Sequence, residues 1–368
     1  MPRIELQSLT RIYPTHGGLH PLTLTIESGE SFAVIGPSGS GKTTLLRLIA
    51  GLERPDSGSL FFDSRPMLPI PPHHRDLAYV TQRPALYPHL DGFENLAFGL
   101  RRTSRLAESE IQFRVQDTAE RLHVTHLLKR HPSGLSAGEQ QRIALGRLLI
   151  RRASLWLLDE PFANLDSELR DILVRELNLL QREFRATMIL VTHDPGEAMT
   201  FGQRLAVLDK GHLVQVGSPT ELMTRPGNRF VAYCLSRPSI NLIAGRLQTR
   251  PNGATYYRSD VGAMEVALSR IDTTIMSATI TLGLRAETIR LGIAIESGEV
   301  SLGEWVVGKS ERWGRGWLVT LRRDSLELRT VIDREIATDS RHHCFAHSRD
   351  LLFFDGVTER VSPLIADP

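Results

Sequence analysis

The segment that most constrains the fold is a glycine-rich run that follows an apolar stretch and precedes a helical pattern, Gly36-Pro37-Ser38-Gly39-Ser40-Gly41-Lys42-Thr43. Its G-x-x-x-x-G-K-[ST] spacing is that of a phosphate-binding loop. The glycines let backbone N–H groups approach phosphate oxygens, and the start of the following helix adds partial positive charge. The Lys42 ammonium would lie between the β- and γ-phosphates, and the Thr43 hydroxyl would bind Mg²⁺. The sequence therefore predicts a nucleotide-binding α/β domain.

Short apolar runs alternate with helical periods up to about residue 236, a pattern typical of an α/β sheet. Ligands of such a sheet bind at the carboxyl ends of its parallel strands. Residues from about 90 to 150 are richer in charge and keep a helical period, which predicts an inserted helical subdomain. The patterns predict a helix at 42–50 and strands at 31–35, 58–62, 77–81, 155–158, 188–191 and 205–208.

The pattern changes near Arg237-Pro238. Beyond this point the helical periods thin out, and short β-like runs appear between glycines at 279–282, 317–321 and 326–332. Short strands separated by glycines are typical of a small all-β barrel or sandwich. We therefore predict two domains, 1–236 and 237–368.

Charge and cysteine content exclude some classes of protein. The chain has 44 basic and 42 acidic residues and a net charge of +2, so we expect no nucleic acid as a main partner. Its two cysteines, Cys234 and Cys344, exclude a disulfide scaffold and favour a reducing compartment. We find no run approaching the roughly 18 apolar residues of a membrane-spanning helix. The opening residues resemble a strand, so we expect no signal peptide.

A second apolar strand ends in two carboxylates, in the run Leu155-Trp156-Leu157-Leu158-Asp159-Glu160. A buried strand aimed at a Mg²⁺ site is expected to end in an acid that holds the water shell of the metal, and Asp159 fits this role. Glu160 is then placed to orient or deprotonate an attacking water. Alone, such a strand end is more often one with solvated charges, but the upstream phosphate loop favours the chemical interpretation.

The run Leu135-Ser136-Ala137-Gly138-Glu139-Gln140-Gln141-Arg142 resembles the signature sequence of ABC ATPases, whose usual form is Leu-Ser-Gly-Gly-Gln. Gln82 and His193, which each follow a strand, and Asn164-Leu165-Asp166 are similar to further motifs of this family. The motifs occur in the order of the family over about residues 1–235. The resemblance implies a P-loop NTPase fold of the ABC cassette type, with a mixed sheet and a helical subdomain.

The resemblance also implies roles for single residues. The phosphate loop, extended to Thr44, would bind ATP with Mg²⁺. Gln82 would be a further Mg²⁺ ligand and a sensor of the membrane partner, and His193 would contact the γ-phosphate. Tyr13 lies where the family has an aromatic residue that stacks on adenine.

The signature would serve the nucleotide of a second copy of the chain, through Ser136, Ala137, Gly138 and Glu139. Asp166 would contact the opposite subunit, so the resemblance implies a homodimer. Two residues depart from the usual form. Ala137 replaces a glycine, which is tolerable unless that backbone needs a positive φ. Glu139 replaces glutamine, which either adds negative charge near a phosphate or points the acid into its own helix.

Two stretches resemble importer ATPases. Arg75 to Gln82 and 85–90 look like the corresponding region of sugar importers, so residues 86–90 are candidates for contact with a permease. Residues 237–242 and 282–291 resemble the C-terminal domain of maltose-type subunits, a TOBE-type, OB-like β domain. This resemblance implies a peripheral ATPase on the cytoplasmic face of the inner (plasma) membrane, working with two permease subunits and, through them, a solute-binding protein. Carbohydrate is the expected solute; iron, polyamine or phosphonate import, or a nucleotide-dependent regulator, remain alternatives.

Two groups in the C-terminal part contain residue types that often bind ligands. His342, His343, Cys344 and His347 are of the types that bind metals, but their spacing fits no standard zinc pattern. We expect them to be loop or surface residues. Trp305, Trp313 and Trp317 could stack on a base, as in other OB folds, but without a basic excess we expect core or dimer packing.

Overall fold

The computed structural model describes residues 1–14, 17–103, 106–163, 165–253, 255–262, 264–270, 279–361 and 365–366, so Asn164 lies outside the described residues. The chain divides into two compact units, Met1–Pro219 and Thr220–Pro368. Within the described residues, none of the helices has the length and apolar character needed to cross a membrane.

The first unit contains two sheets. Its strands are β1 (Ile4–Ile12), β2 (Gly18–Ile26), β3 (Ser31–Ile35), β4 (Ser57–Phe62), β5 (Arg65–Pro66), β6 (Leu77–Val80), β7 (Leu155–Asp159), β8 (Thr187–Thr192), β9 (Arg204–Asp209) and β10 (His212–Gly217). One sheet is antiparallel with the order β2-β1-β4-β5. The other is mixed with the order β10-β9-β3-β8-β7-β6, in which only β10 runs antiparallel to its neighbour.

Every residue of β3, β7 and β8 is buried. Parallel strands covered on both faces are continuously apolar, which is why these runs were visible in the sequence. Because β6, β7, β8 and β3 are parallel, their carboxyl ends meet at one edge of the sheet. This edge is where the polar residues that follow the strands come together.

The helices of the first unit are α1 (Lys42–Ala50), α2 (Gly92–Thr103), α3 (Glu108–Arg121), α4 (Ala137–Arg151), α5 (Ser167–Phe184) and α6 (Pro195–Phe201). The predicted helix at 42–50 is present as α1. Helices α2, α3 and α4 span residues 92–151, compared with a predicted insertion at about 90–150. They share one apolar core through Leu96, Val115 and Ile143, as a helical subdomain requires.

The second unit contains two short helices and two antiparallel sheets. Its elements are α7 (Pro219–Thr224), α8 (Arg229–Cys234), β11 (Asn241–Thr249), β12 (Thr255–Ser259), β13 (Glu265–Arg270), β14 (Thr279–Leu284), β15 (Ile289–Gly292), β16 (Glu299–Trp313), β17 (Gly316–Arg323), β18 (Leu326–Ile332), β19 (Arg341–His347), β20 (Leu352–Asp355) and β21 (Ile365–Ala366). The sheet orders are β20-β14-β11-β12-β13-β21 and β15-β19-β16-β17-β18. An all-β C-terminal domain was predicted, and the sheets agree with it.

The division into compact units falls earlier in the chain than the predicted boundary at residue 237. Ala232 of α8 packs in a small apolar cluster with Ile240 and Phe354. The buried Arg285 donates hydrogen bonds to the Ser236 hydroxyl and, at 2.9 Å, to the Met223 carbonyl. The segment before residue 237 is therefore attached to the β unit by contacts with residues far away in sequence.

Candidate nucleotide-binding site

The phosphate loop joins β3 to α1, and its backbone requires glycine at several positions. Gly39 and Gly41 have φ of 80° and 96°, in the left-handed region that favours glycine. A Cβ on Gly36 would lie 2.2 Å from the Leu208 carbonyl oxygen. The exposed Pro37 and Ser38 form the outer part of the loop. The glycine spacing seen in the sequence is therefore a steric requirement of this turn.

Lys42 begins α1 and is only 5% exposed. Its Nζ donates hydrogen bonds to the carbonyl oxygens of Gly36 at 2.8 Å and Pro37 at 2.9 Å. These bonds hold the ammonium inside the turn of the loop. The same loop contains a buried hydroxyl, since Ser40 is 1% exposed and its Oγ has no hydrogen-bond partner. A buried unsatisfied donor beside a buried ammonium fits a loop that binds phosphate oxygens.

Asp159, at the end of β7, lies beside the start of α1. The Thr43 Oγ1 lies 3.0 Å from Asp159 Oδ1, and the Tyr79 hydroxyl donates to Asp159 Oδ2 at 3.2 Å. Burial raises the pKa of Asp159, while these two hydrogen bonds oppose the shift. A buried carboxylate next to a threonine hydroxyl offers the hard oxygen ligands that Mg²⁺ prefers, so these residues fit the metal.

Glu160 follows Asp159, and each of its carboxylate oxygens lies beside a polar side chain. Gln82 Nε2 donates to one oxygen at 3.0 Å, and His193 Nδ1 lies 3.3 Å from the other. The backbone of Glu160 has φ of 47°, and its N–H donates to the Val191 carbonyl at 2.9 Å. A non-glycine residue in this conformation is uncommon and is often found at functional sites. The three predicted residues Gln82, Glu160 and His193 are therefore in contact.

Tyr13 lies beside Thr44, on the first turn of α1, and its side chain contacts other protein groups. Its hydroxyl donates to the Glu53 carboxylate, and the Arg11 guanidinium lies 5.2 Å from the ring centroid. Burial and the bond to Glu53 raise the pKa of Tyr13, and Thr44 on the first turn of α1 opposes the shift. Stacking of Tyr13 on adenine stays a prediction.

The signature residues form a separate group at the start of α4. Ser136 caps this helix: its Oγ accepts from the Glu139 N–H at 3.3 Å, while the Ser136 N–H donates to the Glu139 carboxylate at 2.7 Å. Ala137 and Gly138 belong to the helix itself, so Ala137 needs no positive φ. Of the two expectations for Glu139, the acid points into its own helix.

Asp166 caps α5 in the same manner, since its Oδ1 accepts from the Leu169 N–H at 2.9 Å. Side-chain caps of this kind satisfy the N–H groups at a helix start that have no partner within the helix. Asp166 is exposed, and its contact with a second subunit stays a prediction.

Comparison with known proteins identifies the family of the chain. The family model described as "ABC transporter" matches residues 19–163. The sn-glycerol-3-phosphate import ATP-binding protein UgpC of Psychromonas ingrahamii is 41% identical over 79% of this chain and 76% of its own length. The xylose/arabinose import ATP-binding protein XacK of Haloferax volcanii is also 41% identical, over 79% of this chain and 76% of its own length. The chain belongs to the ABC transporter ATP-binding proteins.

Solved structures agree with this family and with the ATPase fold. A dimeric ATP-binding cassette in a post-hydrolysis state, bound to ADP and Pi, is 28% identical with a TM-score of 0.55. A dimeric bacterial ABC transporter cassette is 28% identical with a TM-score of 0.56. In each case the match covers 59% of this chain and 98% of the other chain. The remaining part of this ABC ATPase therefore lies outside the matched cassette.

Sequence reasoning missed two residues of this ABC ATPase. Tyr79 lies on β6, and its hydroxyl contacts the candidate metal ligand Asp159. A tyrosine hydroxyl in an otherwise apolar strand was the sequence feature that could have indicated this contact. Arg170, near the start of α5, lies beside the loop that follows His193, and its sequence surroundings gave no signal.

His342, His343, Cys344 and His347 were expected in a loop or on the surface, but they lie on strand β19, so the loop expectation was wrong. Cys344 is fully buried, and burial raises its pKa to about 12. Within the part of the chain that the structure describes, no three His, Cys, Asp or Glu side chains are arranged to hold a metal ion. Trp305 is also fully buried, and its Nε1 donates to the Leu302 carbonyl at 2.9 Å, as expected for core packing.

Proposed function

We propose that this chain is the ATP-hydrolysing subunit of an ABC importer and couples ATP binding and hydrolysis to solute uptake. The observation that carries the proposal is the contact of Gln82, Glu160 and His193 at the strand ends beside the phosphate loop. These side chains come from three different strand ends. Their meeting puts a carboxylate with two polar partners next to a phosphate site.

The proposed chemistry is transfer of the γ-phosphoryl group of ATP to water, in which the bond from the γ-phosphorus to the bridging oxygen breaks and ADP leaves. Glu160 accepts the proton of the attacking water, and its contacts with Gln82 and His193 fix the direction of its free lone pairs. Lys42 and the loop N–H groups bind the phosphates, and His193 contacts the γ-phosphate. Thr43, Asp159 and Gln82 would hold Mg²⁺, which when bound offsets negative charge on the phosphate oxygens.

The working form is proposed to be a homodimer with two composite sites. Ser136, at the start of α4, is exposed, so a second copy can present its nucleotide there. Support comes from the two related cassettes, which were solved as dimers. Asp166 is then one of the residues at the interface.

The permease is proposed to contact the region of residues 86–90. This segment borders a groove of about 480 Å³ between β6, α2 and α4. Arg147 lines the groove, where its guanidinium is 4.5 Å from the Tyr87 ring centroid and donates to the Ala85 carbonyl at 2.5 Å. Docking to a permease would place the chain at the cytoplasmic face of the membrane, with a solute-binding protein on the other side.

The proposed solute is a carbohydrate or a closely related polyol phosphate. The two relatives at 41% identity are named for sn-glycerol-3-phosphate and for xylose or arabinose. Iron, polyamine and phosphonate import remain alternatives, because the solute is selected by other subunits. Uptake of labelled candidate solutes by the complete transporter, with and without this subunit, distinguishes them.

Replacing Glu160 tests the proposed chemistry. Glu160→Gln keeps the size of the side chain and removes the base, so ATP binding and dimerisation persist while turnover falls by roughly 10²–10⁴. The exposed Glu183→Gln is the matched control and retains wild-type turnover. Wild-type turnover of Glu160→Gln would exclude this role. Absence of phosphate release by the wild-type chain, both alone and with its permeases, would instead support a nucleotide-dependent regulator.

A further inference from the structure

Arg170 connects two loops that have separate roles in the proposed function. Its Nη2 donates to the Leu165 carbonyl at 3.0 Å, directly before Asp166. Its Nη1 lies 3.6 Å from Asp194 Oδ2, directly after His193. One planar guanidinium therefore contacts both the segment proposed to meet the second copy and the segment proposed to contact the γ-phosphate.

The His193 side of this contact is a buried polar network. Glu197 is 7% exposed, and its carboxylate lies 3.7 Å from Arg170 Nε and accepts from the Thr192 hydroxyl at 2.5 Å. The same Thr192 oxygen accepts from the Asp194 N–H at 3.0 Å. His193 lies between Thr192 and Asp194, so both of its neighbours belong to the network.

The two sides of the contact differ in strength. The bond to Leu165 has hydrogen-bond geometry, whereas the distances to Asp194 and Glu197 are those of ion pairs outside hydrogen-bond range. Arg170 Nε is buried and donates no hydrogen bond. Because this unsatisfied donor faces the Glu197 carboxylate, a small shift of the Arg170 side chain would form a charge-assisted hydrogen bond between them.

We propose that Arg170 is a positioning residue that fixes His193 relative to Asp166 and transmits engagement of the second copy to the γ-phosphate contact. The inference rests on the proposed function, since it uses the roles assigned there to His193 and Asp166. It assigns to Arg170 an effect on turnover rather than on nucleotide binding, because Arg170 contacts neither Lys42 nor the phosphate loop in any hydrogen bond or ion pair of the described residues.

The test measures ATP turnover and ATP affinity of the full chain with Arg170→Met. We expect kcat to fall at least about tenfold while KM for ATP changes less than about twofold. Arg182→Met is the matched control, an exposed arginine on the same helix, and keeps wild-type kcat. In a His193→Ala background, Arg170→Met should lower kcat by less than about twofold further, because both changes affect one step.

The results distinguish failure of the inference from failure of the proposed function. Wild-type kcat for Arg170→Met, together with impaired His193→Ala and Glu160→Gln, overturns the inference alone. A full additional loss in the His193→Ala background also overturns it, because Arg170 would then act elsewhere. Wild-type kcat for His193→Ala contradicts the proposed role of His193 and the inference with it.

A second variant covers the case in which Arg170→Met does not fold. Arg170→Lys keeps the positive charge near Asp194 and Glu197. It lacks the branched guanidinium whose second nitrogen donates to the Leu165 carbonyl. We expect a folded protein with unchanged KM and kcat lowered about threefold or more. An unchanged kcat for Arg170→Lys, or a raised KM at unchanged kcat, overturns the inference.

Discussion

Ser136 and Glu139 bond to each other in both directions at the start of α4. The Glu139 carboxylate accepts from the Ser136 N–H at 2.7 Å, and the Ser136 Oγ accepts from the Glu139 N–H at 3.3 Å. These bonds lower the pKa of Glu139 and satisfy two N–H groups at the helix start. They also place a carboxylate at the start of α4, where the phosphate of the second copy's nucleotide is proposed to bind.

Glu139→Gln is expected to lower the KM for ATP. A glutamine can make the same pair of capping bonds, so α4 is retained while a negative charge is removed. Two like unit charges roughly 4–8 Å apart in water repel by about 0.5–1 kcal/mol, so removing the charge of Glu139 predicts a two- to fivefold lower KM for ATP. The assay is ATP turnover against ATP concentration. Glu108→Gln, at the start of α3, is the control with unchanged KM, and an unchanged or raised KM for Glu139→Gln contradicts the prediction.

Sequence was informative where local spacing and chain order decide the structure. The phosphate loop and the strand ending in Asp159 and Glu160 are each set by consecutive residues. Their meeting follows because parallel strands present their carboxyl ends at one edge of the sheet. Gln82 and His193 also follow strands of this sheet, but their roles at the nucleotide were expected from the family resemblance, and their contacts with Glu160 come from the structure.

The remaining features depend on contacts between distant residues. Tyr79 reaches Asp159 because β6 pairs with β7 in a register that places Tyr79 opposite Leu157. The earlier boundary between the two units follows from packing of Ala232 against Phe354. Strand register and packing between distant residues do not follow from local sequence patterns, so neither feature could be predicted.

Tyr79→Phe is expected to weaken Mg²⁺-dependent turnover without altering the fold. The Tyr79 hydroxyl donates to Asp159 and opposes the rise in the pKa of that carboxyl, which burial causes. Loss of the bond raises the pKa of Asp159 further and disfavours its charged form. One such bond is worth about 0.5–1.5 kcal/mol, so the Mg²⁺ concentration for half-maximal turnover rises about two- to tenfold. Tyr256→Phe, in the β unit, is the control; an unchanged Mg²⁺ requirement contradicts the prediction.

Arg75→Met is expected to destabilise the first unit strongly. Arg75 is 3% exposed, and its guanidinium donates to four backbone carbonyls, those of Leu48, Ile49, Met67 and Ile70. Two of these carbonyls belong to the last turn of α1, where a positive charge is favourable. Removal leaves buried acceptors unsatisfied, which predicts a loss of about 3 kcal/mol.

Thermal unfolding followed by circular dichroism measures this loss as a lower Tm. The exposed Arg83→Met is the control and should unfold at the wild-type temperature. A shift of Tm for Arg75→Met no larger than that of Arg83→Met would mean that the four bonds contribute little.

The two cysteines are expected to differ in reactivity. Cys344 is fully buried and its pKa is raised to about 12, whereas Cys234 is partly exposed. The thiolate is the reactive form, so between pH 7 and pH 9 Cys344 stays protonated and inert. Iodoacetamide should therefore modify Cys234 alone in the folded protein and both cysteines in urea, as read by peptide mass spectrometry. Cys234→Ser is the control and should take up no label when folded; labelling of Cys344 that increases from pH 7 to pH 9 would contradict its burial.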